Sequence, residues 1–332
     1  MIKTRVVSDI ETCRDLWNSF VKPGNISDLW DFRLCFHRHF ENEPCFLVLE
    51  DQEGLLAVLP LSFLNHEDTY VFFPGEVWNS KTWLERTQIY CREPEAMGHI
   101  LSACPERTHL RYMEGQAAAL SQDLEEDELA YLFFPPDVGF DLNIYFKRFS
   151  WKKIKAIKKE ISSILVPGSS WHLNRLSDYD LLVEMNLNRF GMNSYFHDAR
   201  FAESFGDAVR WLHRRGWLRM VSLDIKGRTA AVDLAAAFEG TYVVFLGGTH
   251  AEFPGVAKAM NMYHLEQACN QRFSRVDFLC GDFYWKKLWH LDPEPLYKFV
   301  SPSLKAPEHA RQEMLEECDV ALSMTGMDAA RA

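Results

Sequence analysis

A pattern of glycine-centred turns between β-rich runs constrains the fold of this chain more than any other feature. In the first half, residues 45–50 (CFLVLE) end at a turn that closes on Gly54, and an apolar run follows at residues 55–64. A third β-rich run, YVFF, occupies residues 70–73. Two-residue turns that end in glycine between β-rich runs indicate hairpins. The sequence therefore predicts a group of three antiparallel strands in the first half.

The same pattern returns in the second half. Residues 218–225 lead through a turn at Gly227 into residues 229–238, and a turn at Gly240 leads into residues 242–246. The second half is thus predicted to contain an equivalent group of three strands.

The two groups have matching surroundings, which indicates a duplication. Gly227 follows Gly54 by 173 residues, and at this offset Gly75 coincides with Gly248. Each group is followed by a predicted helix and a further predicted strand, at residues 95–103 and 110–115 in the first half and at residues 256–273 and 276–281 in the second. The same order of elements twice favours two copies of one unit. The predicted fold class is α/β (α+β), with two tandem domains that each hold a mixed, mostly antiparallel sheet flanked by helices.

A basic amphipathic segment joins the halves. Residues 146–165 (FKRFSWKKIKAIKKEISSIL) place apolar side chains at helical spacing and lysines at most other positions. The pattern predicts a helix with one buried apolar stripe and a cationic surface. This surface is either exposed to solvent, as in a linker helix, or forms a wall that binds a phosphate-bearing donor. The predicted units are a first domain at residues 1–145, a linker helix at 146–166, a second domain with the cleft at 167–305, and a C-terminal helix and tail at 306–332.

Composition limits the classes of function. The net charge of −11 over 332 residues argues against a DNA-binding protein. No apolar run approaches the roughly 20 residues that span a bilayer, and no signal-peptide core follows Met1. The eight cysteines form no Cys-x-x-Cys pair, which is typical of reduced, buried thiols. The sequence therefore predicts a cytoplasmic protein.

One motif carries a resemblance to a known family. Residues 276–289 (VDFLCGDFYWKKLW) resemble the strand-end motif D-F-L-x-G-D-x-x-Y-K-x-x-W of the CelD/BioF2-like acetyltransferase family, and residues 55–61 (LLAVLPL) are similar to another of its strands. The resemblance covers about residues 15–299. It implies membership of the GCN5-related N-acetyltransferase (GNAT) superfamily in a tandem, FemAB-like arrangement. It also implies transfer of an acyl group to an amine or hydroxyl, with acetyl-CoA or another acyl-CoA as donor.

The resemblance also implies a donor-binding loop at the start of a helix. Amides at such a helix start favour a pyrophosphate. The family has Gln or Arg at the first loop position, whereas this chain has Glu252. A carboxylate there would repel a phosphate unless it points away, which keeps an aminoacyl-tRNA donor open as the alternative. The residues predicted to bind the donor are Pro254, Gly255, Val256, Ala257 and Lys258.

The catalytic candidates follow Gly281, the last residue of the predicted strand at residues 276–281. Asp282 is predicted to hold an amine or act as a base, and Lys286, which matches the family's lysine, to bind an acceptor carboxylate or stabilise an oxyanion. Tyr284 is a candidate to protonate the departing thiolate, although the family's tyrosine aligns better with Trp285. Trp285 is itself a candidate for contact with the substrate. The alternative is a capped strand in which Asp282 and Lys286 pair with each other.

Other candidates lie earlier in the second half. His250 is a candidate general base, although a lone histidine is more often a surface or capping residue. Asp233 interrupts an apolar strand and must have a partner if it lies inside. Arg189, Asn193 and Tyr195 suit either a lid over the acceptor or an ordinary surface loop. No metal site is predicted, because His37 and His39 point to different faces of a helix.

Three hypotheses of function remain open. The first is an N-acyltransferase that moves an acyl group from acyl-CoA to a small-molecule or peptide acceptor. The second is an aminoacyl-tRNA-dependent transferase, and the third a non-catalytic binding protein of an envelope or polysaccharide pathway. The first half has no lysine to match Lys286, since Gly115 is followed by Gln116, so it is predicted to be structural or to shape the cleft. The enzymatic hypotheses require the amides at Gly255 and the charges beyond Gly281 to converge on one crevice.

Overall fold

The computed structural model describes residues 2–79, 81–115 and 123–304. Its helices, α1 to α9 in chain order, are Ile10–Phe20, Trp30–Phe40, Ala96–Ser102, Leu142–Tyr145, Trp151–Ile164, Asp178–Phe190, Ala199–Arg215, Val256–Asn270 and Tyr284–Leu288. Its strands, β1 to β17, are Lys3–Val7, Glu43–Pro44, Phe46–Asp51, Gly54–Leu59, Leu61–Leu64, Thr69–Phe72, Val77–Trp78, Lys81–Thr82, Tyr90–Cys91, His109–Met113, Glu125–Phe133, Ser170–Leu173, Val221–Ile225, Arg228–Phe238, Thr241–Thr249, Arg275–Asp277 and Asp292–Val300. The predicted C-terminal helix at 306–332 lies outside the described residues.

An eight-stranded mixed sheet, in the order β10-β17-β11-β16-β15-β14-β13-β12, dominates the molecule. Within it, β13, β14 and β15 form the antiparallel group predicted from the second half. The two turns fall at Lys226–Gly227 and Glu239–Gly240, and all four residues have positive φ. Hairpin turns of this kind require positive φ at both central positions, which glycine adopts without strain. The α/β fold class predicted from the sequence is confirmed.

The first-half prediction of a single strand at residues 55–64 is wrong. Pro60 divides this run into β4, which pairs with β3, and β5, which belongs to a separate three-stranded sheet with β2 and β6. Proline has no N–H to donate to a strand ladder, so the chain leaves one sheet and enters another at this residue. The predicted last strand at 276–281 is also shorter, because regular pairing ends at Asp277.

The large sheet draws strands from both sides of the linker. Strands β10 and β11 lie in the first half of the sequence, yet β17 pairs with both of them and β16 pairs with β11. The predicted division near residue 145 therefore remains a proposal about units, whereas the hydrogen-bonded sheet continues across it.

The linker helix is shorter than predicted. Helix α5 begins at Trp151, where the Ser150 hydroxyl accepts a hydrogen bond of 3.3 Å from the Lys153 amide, whereas residues 146–148 form a 3₁₀ turn. A serine in this position is a preferred helix cap, because its side chain satisfies an amide without an intrahelical partner. The predicted buried stripe is confirmed at Ile154, Ile157 and Ile161.

Helices cover both faces of the large sheet. Helices α5 and α8 pack on one face, and α6 and α7 pack on the other together with α2 from the first half. Aromatic pairs join α2 to α7, with ring centroids of Phe36 and Phe205 5.1 Å apart and those of Phe40 and Phe201 4.9 Å apart. Residues of both halves thus pack together in one apolar cluster on this face of the sheet. In the stretches that the structure describes, no helix combines the length and apolarity needed to cross a membrane.

A buried ionic network also joins the halves. The guanidinium of Arg86 donates to the carboxylate of Asp277 at the end of β16, and it lies 3.4 Å from Glu114 and 3.3 Å from Glu294. Arg86 is only 3% exposed and Asp277 1%. Several carboxylates around one guanidinium compensate the large cost of removing it from water. This network fixes residues 83–87 of the first half against the second half.

Replacement of Arg86 by methionine is expected to lower the free energy of unfolding by about 3–5 kcal/mol, because it leaves the Asp277 carboxylate buried without its cation. Urea denaturation measures the loss. The matched control is Arg5→Met, which removes an exposed ion pair with Glu50 and should cost less than about 1 kcal/mol. Equal small losses in both variants would show that the network does not hold the halves together.

Candidate functional site

Two neighbouring strands of the large sheet separate and form a fork. Strands β15 and β16 run parallel from the pair Thr241–Arg275 to the pair Val243–Asp277. Strand β15 then continues to Thr249 and stays paired with β14. The chain beyond Asp277 instead stays with β11, where the Phe278 amide donates to the backbone carbonyl of Tyr131 over 2.9 Å. We call the opening between residues 244–249 and residues 278–281 the fork.

A bulge lies where the fork opens. The register between β14 and β15 shifts after Leu234, which pairs with Leu246, to Ala235, which pairs with Val244. Phe245 is left without a partner in the ladder. Bulges bend a strand and often occur beside active sites, where they redirect a side chain. Phe245 lines a cavity of about 20 Å³ at the fork.

The predicted donor loop continues from one arm of the fork into α8. Gly255 caps the helix with φ of 84°, and a Cβ there would collide with the Glu160 carboxylate of α5. The amides of Val256 and Lys258 already donate to the carbonyl oxygens of Phe253 and Gly255, so two amides at this helix start have internal acceptors. Pro254 lies just before the cap, and Ala257 is exposed in the first turn.

The charges around this loop are paired. The Lys258 ammonium lies 2.6 Å from both carboxylate oxygens of Glu160. Glu252, the departure from the family pattern, forms an ion pair with Arg228. This pairing offsets the charge that would repel a phosphate.

Lys286, the matching lysine, is buried. Only 2% of it is exposed, and its ammonium donates to the carbonyl oxygens of Leu279 and Cys280 over 2.8 and 2.6 Å. Burial lowers the pKa of Lys286, while the carboxylate of Glu85 opposes that effect. In this geometry the ammonium holds the second arm of the fork and does not face an acceptor.

Asp282 does not pair with Lys286. Its carboxylate accepts hydrogen bonds from the Tyr131 hydroxyl over 2.5 Å and from the Lys287 ammonium over 2.7 Å. These two bonds, the one from Lys287 foremost, hold the pKa of Asp282 below its usual value. Asp282 and the donor loop thus extend from different arms of the fork and have different partners, so their convergence on one crevice stays a prediction.

The aromatic candidates beside Asp282 differ in exposure. Tyr284 is 73% exposed, whereas Trp285 packs edge-on against Phe278 at 5.8 Å. His250 lies on the turn after β15, where its ring accepts a 3.3 Å bond from the Glu252 amide. With this bond His250 caps the turn, which is the alternative to a role as general base.

Asp233 lies inside, and its partner is a histidine that the sequence analysis missed. Its carboxylate is 2.8 Å from His264 of α8, whose other ring nitrogen is 2.9 Å from the Tyr242 hydroxyl. His264 is fully buried. A Cβ on Gly247 would collide with Asp233, so this glycine leaves the carboxylate room beside β15. The spacing of His264 on the buried face of α8 is the only signal that the sequence offers.

The three lid candidates have different surroundings. Arg189 donates a 3.3 Å hydrogen bond to Thr249 at the end of β15, so it reaches the fork. Asn193 is exposed in a 3₁₀ turn. Tyr195 packs between Trp78 and Trp83 of the first half, at centroid distances of 5.1 and 4.7 Å.

Glu85 was not among the residues predicted from the sequence. This half-buried residue of the first half accepts a hydrogen bond from the Cys280 amide on the second arm of the fork. Burial raises the pKa of the Glu85 carboxyl to about 7, although the bond from Cys280 and the charge of Lys286 oppose the shift. No local motif marks Glu85, because its partner is 195 residues away. Across the described ranges, no group of three or more His, Cys, Asp or Glu side chains is placed to hold a metal ion.

Replacement of Lys286 by methionine should loosen the second arm of the fork, because two buried carbonyls lose their donor at a cost of about 1–3 kcal/mol. Hydrogen exchange of the amides at residues 278–281 is expected to accelerate about tenfold or more. Lys287→Met is the control, since the Lys287 ammonium is exposed and binds Asp282. Unchanged exchange in Lys286→Met would mean that the ammonium does not hold this arm.

Comparisons with known proteins agree with this geometry. Residues 168–287, which contain the fork and the donor loop, match the family model of the acetyltransferase (GNAT) domain. No curated protein matches the chain by sequence. Three solved structures are similar in fold at low sequence identity, and such likeness speaks for the fold alone.

FemX is one of the three, with 9% identity, a TM-score of 0.55, and coverage of 90% of this chain and 97% of FemX. L-PGS from Bacillus licheniformis has 12% identity and a TM-score of 0.54, with 90% and 93% covered. A conserved protein of unknown function from Bacteroides thetaiotaomicron has 11% identity and a TM-score of 0.54, with 89% and 98% covered. Residues 168–287 are thus similar to the GNAT domain, and the overall fold of the chain is similar to that of FemX.

Proposed function

We propose that the protein transfers an acyl group from acyl-CoA to an amine, and that the reaction takes place in the fork. The observation that carries this proposal is the separation of β15 from the chain beyond Asp277, with the bulge at Phe245 where the strands part. Past Val243, the edge of β15 that faces the fork no longer pairs with β16. Backbone groups at such an edge bind an extended ligand by adding to the sheet, and the amide-bearing arm of coenzyme A is extended.

The proposed chemistry needs little beyond positioning. The acceptor nitrogen attacks the thioester carbonyl carbon, the C–N bond forms, and the C–S bond breaks as the thiolate leaves. Orientation of the two reactants and stabilisation of the developing charge account for most of the rate gain in such reactions. The ion pair of Arg228 with Glu252 supports a donor with phosphates, because it offsets the one acidic charge that the loop would set against them.

Isothermal titration with acetyl-CoA and longer acyl-CoA thioesters tests the donor. Ala257→Glu adds a negative charge to the exposed first turn of α8 and should weaken acyl-CoA binding at least tenfold, or by about 1.4 kcal/mol. The fold should tolerate the change, because an acidic side chain suits a helix N-terminus.

Gln271→Glu, which adds the same charge at the other end of α8, is the matched control and should leave the affinity unchanged. Equal affinities in both variants would place the phosphates elsewhere, and no binding of any acyl-CoA to the unaltered protein would remove this donor.

An aminoacyl-tRNA donor is the second candidate, and the exposed face of α5 favours it. Trp151 is 78% exposed, and Lys152, Lys155 and Lys159 are exposed along the same helix. Lysines that contact phosphates release counterions, and exposed aromatic rings stack on unpaired bases.

If three lysines contact tRNA phosphates, its affinity should fall roughly 40-fold between 50 and 200 mM salt. Replacement of Lys152, Lys155 and Lys159 by glutamate should abolish tRNA binding in a filter assay and leave acyl-CoA binding intact. Retention of tRNA by the triple variant would argue against this donor.

A further inference from the structure

The first half contributes the carboxyl group of Glu85 to the fork, and the proposed donor site does not use it. We propose that Glu85 is the general base of the transfer and that the acceptor is an unhindered primary amine, whose nitrogen enters the cavity between Glu85 and the fork. This inference rests on the proposed acyl transfer and adds to it the base and the class of acceptor.

Glu85 is held in place from two directions. Its neighbour Arg86 forms a buried ion pair with Asp277. The next residue, Thr87, binds two backbone carbonyls of β10: its amide donates to that of Tyr112 over 2.9 Å, and its hydroxyl to that of Arg111 over 2.6 Å. One carboxylate oxygen of Glu85 accepts from the Cys280 amide. A base held this firmly against the second arm of the fork needs no rearrangement to act there.

The cavity beside Glu85 lies at the point where the strands part. On the second-half side its walls are formed by the last pair before the strands part, Val243 and Asp277, and by one residue of each arm, Phe245 and Leu279. Glu85 closes it on the first-half side together with other residues of that half, among them Trp83, Leu84 and Ile26.

The size of the cavity restricts the acceptor. Its volume is about 20 Å³, and a water molecule needs roughly 10–15 Å³ by this measure. An amino group is about the size of a water molecule, so a primary amine fits. An extra N-methyl group would have to displace the buried walls.

The electrostatic surroundings suit proton transfer near neutral pH. The groups that face Glu85 are Lys286, Asp277 and Cys280 of the second half, Tyr112 of β10, and Tyr195 of the 3₁₀ turn before α7. Burial, and then the charge of Glu85, raise the pKa values of both tyrosines, so their hydroxyls stay protonated. With its own pKa raised by burial to about 7, Glu85 is partly a carboxylate at neutral pH and can take up a proton there.

The proton balance of the step is complete. The amine nitrogen bonds to the thioester carbonyl carbon while the Glu85 carboxylate takes a proton from that nitrogen. The C–S bond then breaks, and the electron pair leaves with the thiolate. The proton passes from the Glu85 carboxyl to the thiolate through solvent, which restores the carboxylate and yields the free thiol and the amide.

Thiol release from acetyl-CoA with benzylamine or N-methylbenzylamine as acceptor tests the inference. Benzylamine should react with a kcat/KM at least tenfold higher than its N-methyl counterpart. Glu85→Gln should lower kcat with benzylamine about 100-fold or more, because a general base contributes that much, and should leave the Kd for acetyl-CoA unchanged. The amide oxygen of glutamine still accepts from the Cys280 amide, so the fork keeps its shape.

The pH profile separates a base from a structural residue. In the unaltered protein, kcat should fall as pH drops through about 7, since protonation removes the base. This dependence should vanish in Glu85→Gln and persist in Glu85→Asp, which retains a carboxyl group at reduced activity. Glu93→Gln, at an exposed position of the same half, is the control and should match the unaltered protein.

The outcomes distinguish the two proposals. Acetyl-CoA that fails to bind the unaltered protein overturns the proposed donor. Binding of acetyl-CoA without turnover of benzylamine, equal turnover of the two amines, or a Glu85→Gln variant with full activity overturns the inference about Glu85 and the acceptor while the donor site stands.

Discussion

The buried guanidinium of Arg86 is the interaction on which the arrangement of the two halves depends. Three carboxylates surround it, and the most buried of them, Asp277, ends the strand at which the fork begins. An arginine buried in this way tolerates few alternative positions, because any shift leaves a charge without its partner in a medium of low polarity. The segment at residues 83–87 is therefore held in one position, in which Trp83 and Glu85 contact the second half. The first half thus forms part of the wall of the cavity at the fork.

Local signals allowed much of the second half to be predicted. The turns at Gly227 and Gly240 depend on backbone conformations that glycine adopts easily, and the stripe of Ile154, Ile157 and Ile161 depends on helical period alone. The break at Pro60 was missed although its cause is local. The entry of β10 and β11 into the large sheet could not be predicted, because it depends on strands that lie far along the chain.

The site was less accessible to prediction than the fold. The motif beyond Gly281 lies next to the second arm of the fork, and its catalytic role stays a prediction. Asp233 was correctly expected to need a partner if it lay inside. The burial of Lys286 was missed, since a lysine in a motif does not reveal whether its ammonium meets a ligand or two backbone carbonyls. Glu85 and His264 were missed for the same physical reason. Each acquires its environment from an element distant in sequence, and burial of a titratable group is a property of the packed structure.

The strand order of the large sheet has a consequence for how the chain is made. Strand β17, at residues 292–300, lies between β10 and β11, which are synthesised more than 150 residues earlier. While the ribosome is still translating the second half, β10 has no place in the large sheet and β11 lacks both of its neighbours. Unpaired strand edges favour contact with other chains, and this exposure of β10 and β11 ends when β17 pairs with both of them.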